Sequence, residues 1–67
     1  MISVFINGVA RDLEQPVSVA ELIQKMELGG KRVALERNGE IVPRSQFTQQ
    51  LLANGDQLEI VVAVGGG

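Results

Sequence analysis

The sequence predicts an α+β fold in which one main helix packs on one face of a mixed β-sheet. Apolar residues alternate with polar ones in several short segments, as they do in strands with one buried face. One segment carries apolar residues at helical spacing behind a capping signal. Asn-Gly pairs stand where strands must turn back. Because two hairpins cannot bury their apolar faces alone, the helix is expected to lie across them.

The first predicted element is a β-hairpin. In Ile2–Ile6 every second residue is aliphatic, which is typical of a strand with one buried face. Asn7 and Gly8 follow, and this pair tolerates the positive φ angles of a type I′ turn. Val9–Leu13 is therefore expected to return antiparallel to the first strand.

A helix is predicted over residues 19–28. Ser18 and Glu21 have the spacing of a capping box, in which each side chain binds the backbone N–H of the other residue. Gly29 is the expected C′ residue at the other end. So short a helix is unstable alone and must pack on the sheet. Its apolar stripe comprises Val19, Leu22, Ile23 and Met26.

The second half of the chain is predicted to supply three more strands. Residues 32–37 and 40–42 flank another Asn-Gly pair, and Pro43 ends the return strand because proline cannot donate to a ladder. Residues 45–53 predict a short helix or 3-10 turn, and residues 57–64 predict the last strand. The residues of that strand expected to face the helix are Leu58, Ile60 and Val62.

The most economical arrangement of these elements is a β-grasp, with the last strand inserted beside the first. A chain of 67 residues makes one domain at most. We therefore expect a single domain over residues 1–64, followed by a flexible glycine tail over residues 65–67.

Composition argues against several classes of function. The chain has no cysteine and no histidine, so it lacks thiolate chemistry, the commonest general base and the commonest zinc ligand. The carboxylates have no ligand spacing, so neither a metal site nor a catalytic residue is predicted. A net charge of −2 argues against nucleic acid as a partner. No apolar run approaches the ~20 residues of a membrane span, and the N-terminus lacks signal-peptide features; a cytoplasmic protein is expected.

Three segments carry a family resemblance: INGVARDL, VALERNGEIVPRSQF and NGDQLEIVVAVGGG. Together they resemble the ThiS family, the ubiquitin-like sulfur carrier proteins of thiamin biosynthesis. The resemblance implies that a ubiquitin-activating-type adenylyltransferase uses ATP to adenylate the carboxylate of Gly67. A sulfur-donating enzyme then converts it to a thiocarboxylate, which delivers sulfur to a thiazole synthase. It also implies a carrier with no bound cofactor, which is not itself an enzyme.

The glycine run at residues 65–67 suits this chemistry. Glycine lets the backbone approach a partner closely and adopt any φ angle, so Gly65 and Gly66 are expected to be the residues recognised in the tail. Some relatives have two glycines there, which leaves the role of Gly65 open. The alternatives are the related carrier of molybdopterin synthesis, a ubiquitin-like modifier joined to lysines, and a plain β-grasp interaction domain with a linker remnant.

The open face of the sheet is the predicted docking surface. If the aliphatic residues of the first and last strands face the helix, Phe5, Val61 and Ala63 face the other way, and Ala34 joins them. An apolar strip on such a face often marks a partner site. We expect Phe5 and Val61 to lie side by side on it.

Overall fold

The computed structural model describes residues 1–63, which form a five-stranded mixed sheet with one α-helix across one face. In chain order the elements are β1 (Ile2–Ile6), β2 (Val9–Leu13), α1 (Val19–Lys25), β3 (Val33–Arg37), β4 (Glu40–Ile41), a 3-10 helix (Arg44–Gln46) and β5 (Gln57–Val62). Val64 and the predicted glycine tail lie outside the described residues.

The strand order is β2-β1-β5-β3-β4. The central pair, β1 and β5, is parallel, and the other neighbours are antiparallel. The predicted insertion of the last strand beside the first is therefore confirmed, and the fold is a β-grasp.

Both hairpins turn as their Asn-Gly pairs predict. The φ angles are 50° and 85° at Asn7 and Gly8, and 52° and 85° at Asn38 and Gly39, so both turns have the positive φ angles of type I′. The asparagine side chains also tie the hairpins to β5. The Asn7 amide accepts from the Ile60 N–H at 2.9 Å and donates to its carbonyl at 3.2 Å.

The helix begins as predicted. Ser18 Oγ accepts from the Glu21 N–H, and Glu21 Oε1 accepts from the Ser18 N–H, both at 3.1 Å. Two further N–H groups of the first turn donate to carbonyls in the segment after the 3-10 helix, those of Phe47 and Gln50. This segment therefore satisfies donors that the helix itself leaves unpaired.

The predicted end of the helix was wrong: α1 stops at Lys25, and Glu27 occupies the C′ position with φ 60°. The Glu27 N–H donates to the Gln24 carbonyl at 2.9 Å, and the Leu28 N–H donates to the Ile23 carbonyl at 3.0 Å. These two bonds define a Schellman motif. The early turn lets Leu28 pack against the core. The residue with the left-handed backbone is therefore Glu27 and not Gly29.

The left-handed backbone at Glu27 predicts that glycine would be more stable at this position. A non-glycine residue in the left-handed region costs about 1–2 kcal/mol, and glycine costs about 0.5–1 kcal/mol in backbone entropy. Glu27→Gly is therefore expected to raise the free energy of unfolding by about 0.5–1 kcal/mol, measured by denaturant titration. Glu27→Ala is the matched control, because it removes the side chain and keeps the strain. An equal gain in the alanine variant would assign the effect to the side chain.

The core lies between the sheet and the helix. Leu58 and Ile60 are buried and Val62 is half-buried, as their alternation predicts. The predicted helical piece over residues 45–53 reduces to one 3-10 turn, after which Leu52 enters the core and Leu51 remains exposed. The remaining buried hydrophobic residues are Val4, Ile6, Val17, Val19, Leu22, Ile23, Val33, Leu35 and Val42.

Candidate functional site

The chain leaves the sheet from its central strand. Beyond the end of β5, the Ala63 N–H donates to the Arg32 carbonyl at 2.8 Å, just before β3 begins. The predicted reactive residue, Gly67, and the predicted recognition residues, Gly65 and Gly66, lie outside the described residues. At about 3.3 Å per residue, the four residues after Ala63 can span roughly 13 Å when extended.

Three of the four predicted docking residues lie together near this exit. Val61 pairs directly with Ala34 across β5 and β3, and Ala63 follows two positions after Val61. All three are exposed, Val61 to 63%. They form what we call the exit patch: Ala34, Val61 and Ala63.

Phe5 lies elsewhere, and the expectation that it neighbours Val61 was wrong. Phe5 is half-buried and pairs with Gln57, four positions before Val61 on β5. At about 3.3 Å per residue, this separates the two positions by roughly 13 Å. Alternation assigns a residue to a face of the sheet, but it does not set how far one strand slides along a parallel neighbour.

The surface between Phe5 and the exit patch is acidic. Glu59 pairs directly with Glu36 on the open face, an arrangement of like charges that is unfavourable across two strands.

Ile41, which pairs with Glu36 from β4, is 76% exposed. Sequence reasoning missed Ile41, although its alternation with the buried Val42 was the available signal.

Asp56 is the carboxylate whose surroundings differ most from solvent. It is 7% exposed and accepts from the Ala53 N–H at 2.8 Å. Asn38 Nδ2 donates to it at 3.2 Å, and the Arg37 guanidinium forms an ion pair with it at 2.8 Å. Burial alone would raise the pKa of Asp56, but these hydrogen bonds and the charge of Arg37 outweigh burial and lower it. Asp56 thus holds the turn before β5 against the β3–β4 hairpin.

A lowered pKa makes this network pH-dependent. The ionised carboxylate stabilises the fold above the unfolded pKa of about 3.9, and that contribution is lost as the pH falls through the lower folded pKa. Asp56→Asn is therefore expected to lower the melting temperature at pH 7, and its deficit relative to the wild type should shrink below about pH 4. Asp12→Asn, at an exposed position, is the control. A deficit that is constant down to pH 2 would contradict the assignment.

Neither a metal centre nor a membrane span is found in the described part of the chain. Over residues 1–63, no three carboxylates come close enough to hold a metal ion. The helix in that range is also far too short for a membrane span.

A family model, a related protein and a solved structure that match this chain all carry the same family name. Residues 4–67 match the family model described as the ThiS family. The chain is 30% identical over 64 residues to the sulfur carrier protein ThiS of Escherichia coli, covering 96% of this chain and 97% of that protein. It superimposes on the crystal structure of the thiamine biosynthesis protein ThiS of Geobacter metallireducens with a TM-score of 0.83 and 26% identity, covering 98% of this chain and all of that one.

A third relative is much longer. The chain is 42% identical over 62 residues to a thiazole synthase of Paramagnetospirillum magneticum, covering 92% of this chain. The match spans only 19% of that protein. A segment similar to this chain therefore forms about a fifth of a larger polypeptide in that organism.

Proposed function

The chain belongs to the ThiS family, and from this membership we propose that it carries sulfur as a thiocarboxylate on Gly67 for thiazole formation in thiamin biosynthesis. It acts as a carrier and co-substrate in the cytoplasm, and the enzymes that act on it supply the catalysis. The observation that carries the proposal is that the family match runs through residue 67 and includes the whole glycine run.

The proposed chemistry has two steps. The Gly67 carboxylate attacks the α-phosphorus of ATP in a ubiquitin-activating-type enzyme, which forms an acyl adenylate and releases pyrophosphate. A sulfur nucleophile at the oxidation level of hydrosulfide then attacks the acyl carbon and displaces AMP. No net oxidation occurs in either step. Glycine suits both steps because it has no side chain, so the tail can enter a narrow channel in the enzyme.

A thiazole synthase is the proposed acceptor. Its support is the relative in which a segment like this chain is joined to a thiazole synthase in one polypeptide. Such a fusion raises the effective concentration of one domain around the other.

Mass spectrometry of protein purified from its native cell tests the proposal. A thiocarboxylate adds about 16 Da, which methionine oxidation also adds, so the mass gain must be located in the C-terminal peptide. Alkylation gives a second readout. Because the chain has no cysteine and the peptide after Arg44 has neither methionine nor lysine, uptake of iodoacetamide at neutral pH that maps to this C-terminal peptide reports a thiocarboxylate. A chain that is never alkylated, or one recovered as conjugates to lysines of other proteins, would contradict the proposal.

The exit patch is the proposed docking surface for the adenylating enzyme. Ala34→Asp places a carboxylate beside Val61, where burial in an interface would cost the carboxylate its hydration. It is expected to weaken binding at least tenfold, measured by calorimetry, with little change in melting temperature.

Ala10→Asp is the matched control for this prediction. Ala10 is also an exposed alanine on the open face, but it lies on the edge strand β2 opposite Phe5. The same substitution there should leave binding unchanged. Equal weakening by both variants would indicate a general effect of charge, and no weakening by either would exclude the exit patch.

A further inference from the structure

Two grooves beside the exit of the chain share a basic wall. The smaller groove lies against the exit patch, and the larger one lies between α1, the loop after it and the segment from Arg44 to Thr48. Arg32, Val33 and Arg44 line both grooves. The two grooves are therefore adjacent, with these residues between them, at the part of β3 that β4 does not cover, since β4 pairs only with Glu36 and Arg37.

Within residues 1–63, all the charged residues that line these two grooves are cations. They are Lys31, Arg32 and Arg44, and all three are exposed. In a chain with net charge −2, half of its six basic residues line this one region, and no carboxylate of residues 1–63 does. Over residues 1–63 the one ion pair is that of Arg37 with Asp56, so these three cations are not neutralised there.

The larger groove also has an apolar wall. Ile23 and Leu28 come from the helix and its cap, and Phe47 comes from the segment opposite. Leu28 and Phe47 are only half-buried. Apolar surface flanked by cations complements an extended segment that carries both carboxylates and apolar side chains. A free phosphate would contact only the cations and would leave the apolar wall uncovered.

We infer that these two adjacent grooves, together called the basic groove, bind an acidic and apolar segment of the enzyme that acts on Gly67. The inference rests on the proposed function. The segment lies across Arg32 and Arg44 at the start of β3, whereas the acidic Glu36–Glu59 pair lies toward the other end of that strand. Because the three residues of the exit patch line the smaller groove, an enzyme that holds the tail can contact both. Opposite charges at the rim of an interface favour the correct partner, and like charges there disfavour wrong partners.

The first test measures binding without any enzyme. A synthetic nine-residue peptide of alternating Glu and Leu is titrated into the isotopically labelled full chain, and backbone amide shifts are mapped by NMR. Shifts are expected at groove residues such as Lys31, Arg32 and Phe47, and they should weaken as salt screens the charges. The same peptide with Lys in place of Glu should leave these amides unchanged.

The second test uses the adenylating enzyme. Arg32→Glu combined with Arg44→Glu is expected to raise the KM for the carrier in ATP–pyrophosphate exchange about tenfold or more, with kcat changed less than about twofold. Such a split indicates lost docking, since the reacting carboxylate is untouched. Arg11→Glu combined with Lys25→Glu is the matched control, because it changes the net charge equally at exposed cations outside the groove.

The outcomes separate this inference from the proposed function. If the wild-type chain supports no exchange, the proposed function fails, and the peptide titration alone decides whether the groove binds acidic segments. Equal shifts from inorganic phosphate and from the acidic peptide would show a simple anion site and overturn the inference. It would also be overturned by peptide shifts confined to other surfaces, or by equal KM changes in the groove and control variants.

Discussion

Deletion of Gly66 and Gly67 is expected to abolish ATP–pyrophosphate exchange with the adenylating enzyme while leaving the melting temperature unchanged. The two residues follow the last strand in sequence, and every buried core residue among residues 1–63 falls between positions 4 and 60. Their loss shortens the reach of the chain by roughly 7 Å, at about 3.3 Å per residue. The carboxylate that remains, on Gly65, then falls short of the nucleotide. Radiolabel exchange and a thermal melt measure the two effects.

Replacing both residues with alanine is the matched control for this deletion. The alanine variant keeps the full length and a terminal carboxylate and adds only two methyl groups. If the tail enters a narrow channel, exchange should fall in this variant too, although less completely than in the deletion. Normal exchange by the shortened chain would overturn Gly67 as the reactive residue.

Ile60→Ala is expected to destabilise the domain by about 2–5 kcal/mol, through lost burial and an incompletely collapsed cavity. Ile60 is 7% exposed and lies on the central strand, facing the helix. In a domain of this size, such a loss is a large part of the total stability. A denaturant titration at constant pH measures it.

Val61→Ala is the control for the core substitution, because Val61 is the next residue of β5 and faces the opposite side. At 63% exposure it buries little, so its truncation should cost less than about 1 kcal/mol. A similar loss of unfolding free energy at Ile60 and Val61 would contradict the assignment of one face of β5 to the core and the other to solvent.

Local signals in the sequence determined most of the elements. The two Asn-Gly pairs at the hairpins carry their own backbone preference for positive φ, and the capping box is made by residues three apart in the chain. Alternation in β5 placed Leu58 and Ile60 in the core for the same reason: each pattern depends on neighbours in sequence. The resemblance of the segments that end in the glycine run pointed to the ThiS family, and the family match includes that run.

Only the tertiary structure decided the features that depend on distant contacts. The parallel pairing of β1 with β5 joins segments about fifty residues apart with no turn to set their register, so the separation of Phe5 from Val61 could not be read from alternation. The helix ends at Lys25 because Leu28 must reach the core, and a packed apolar contact outweighs the strain at Glu27. The basic groove arises in the same way, because packing brings Arg32 and Arg44 to the place where the chain leaves the sheet.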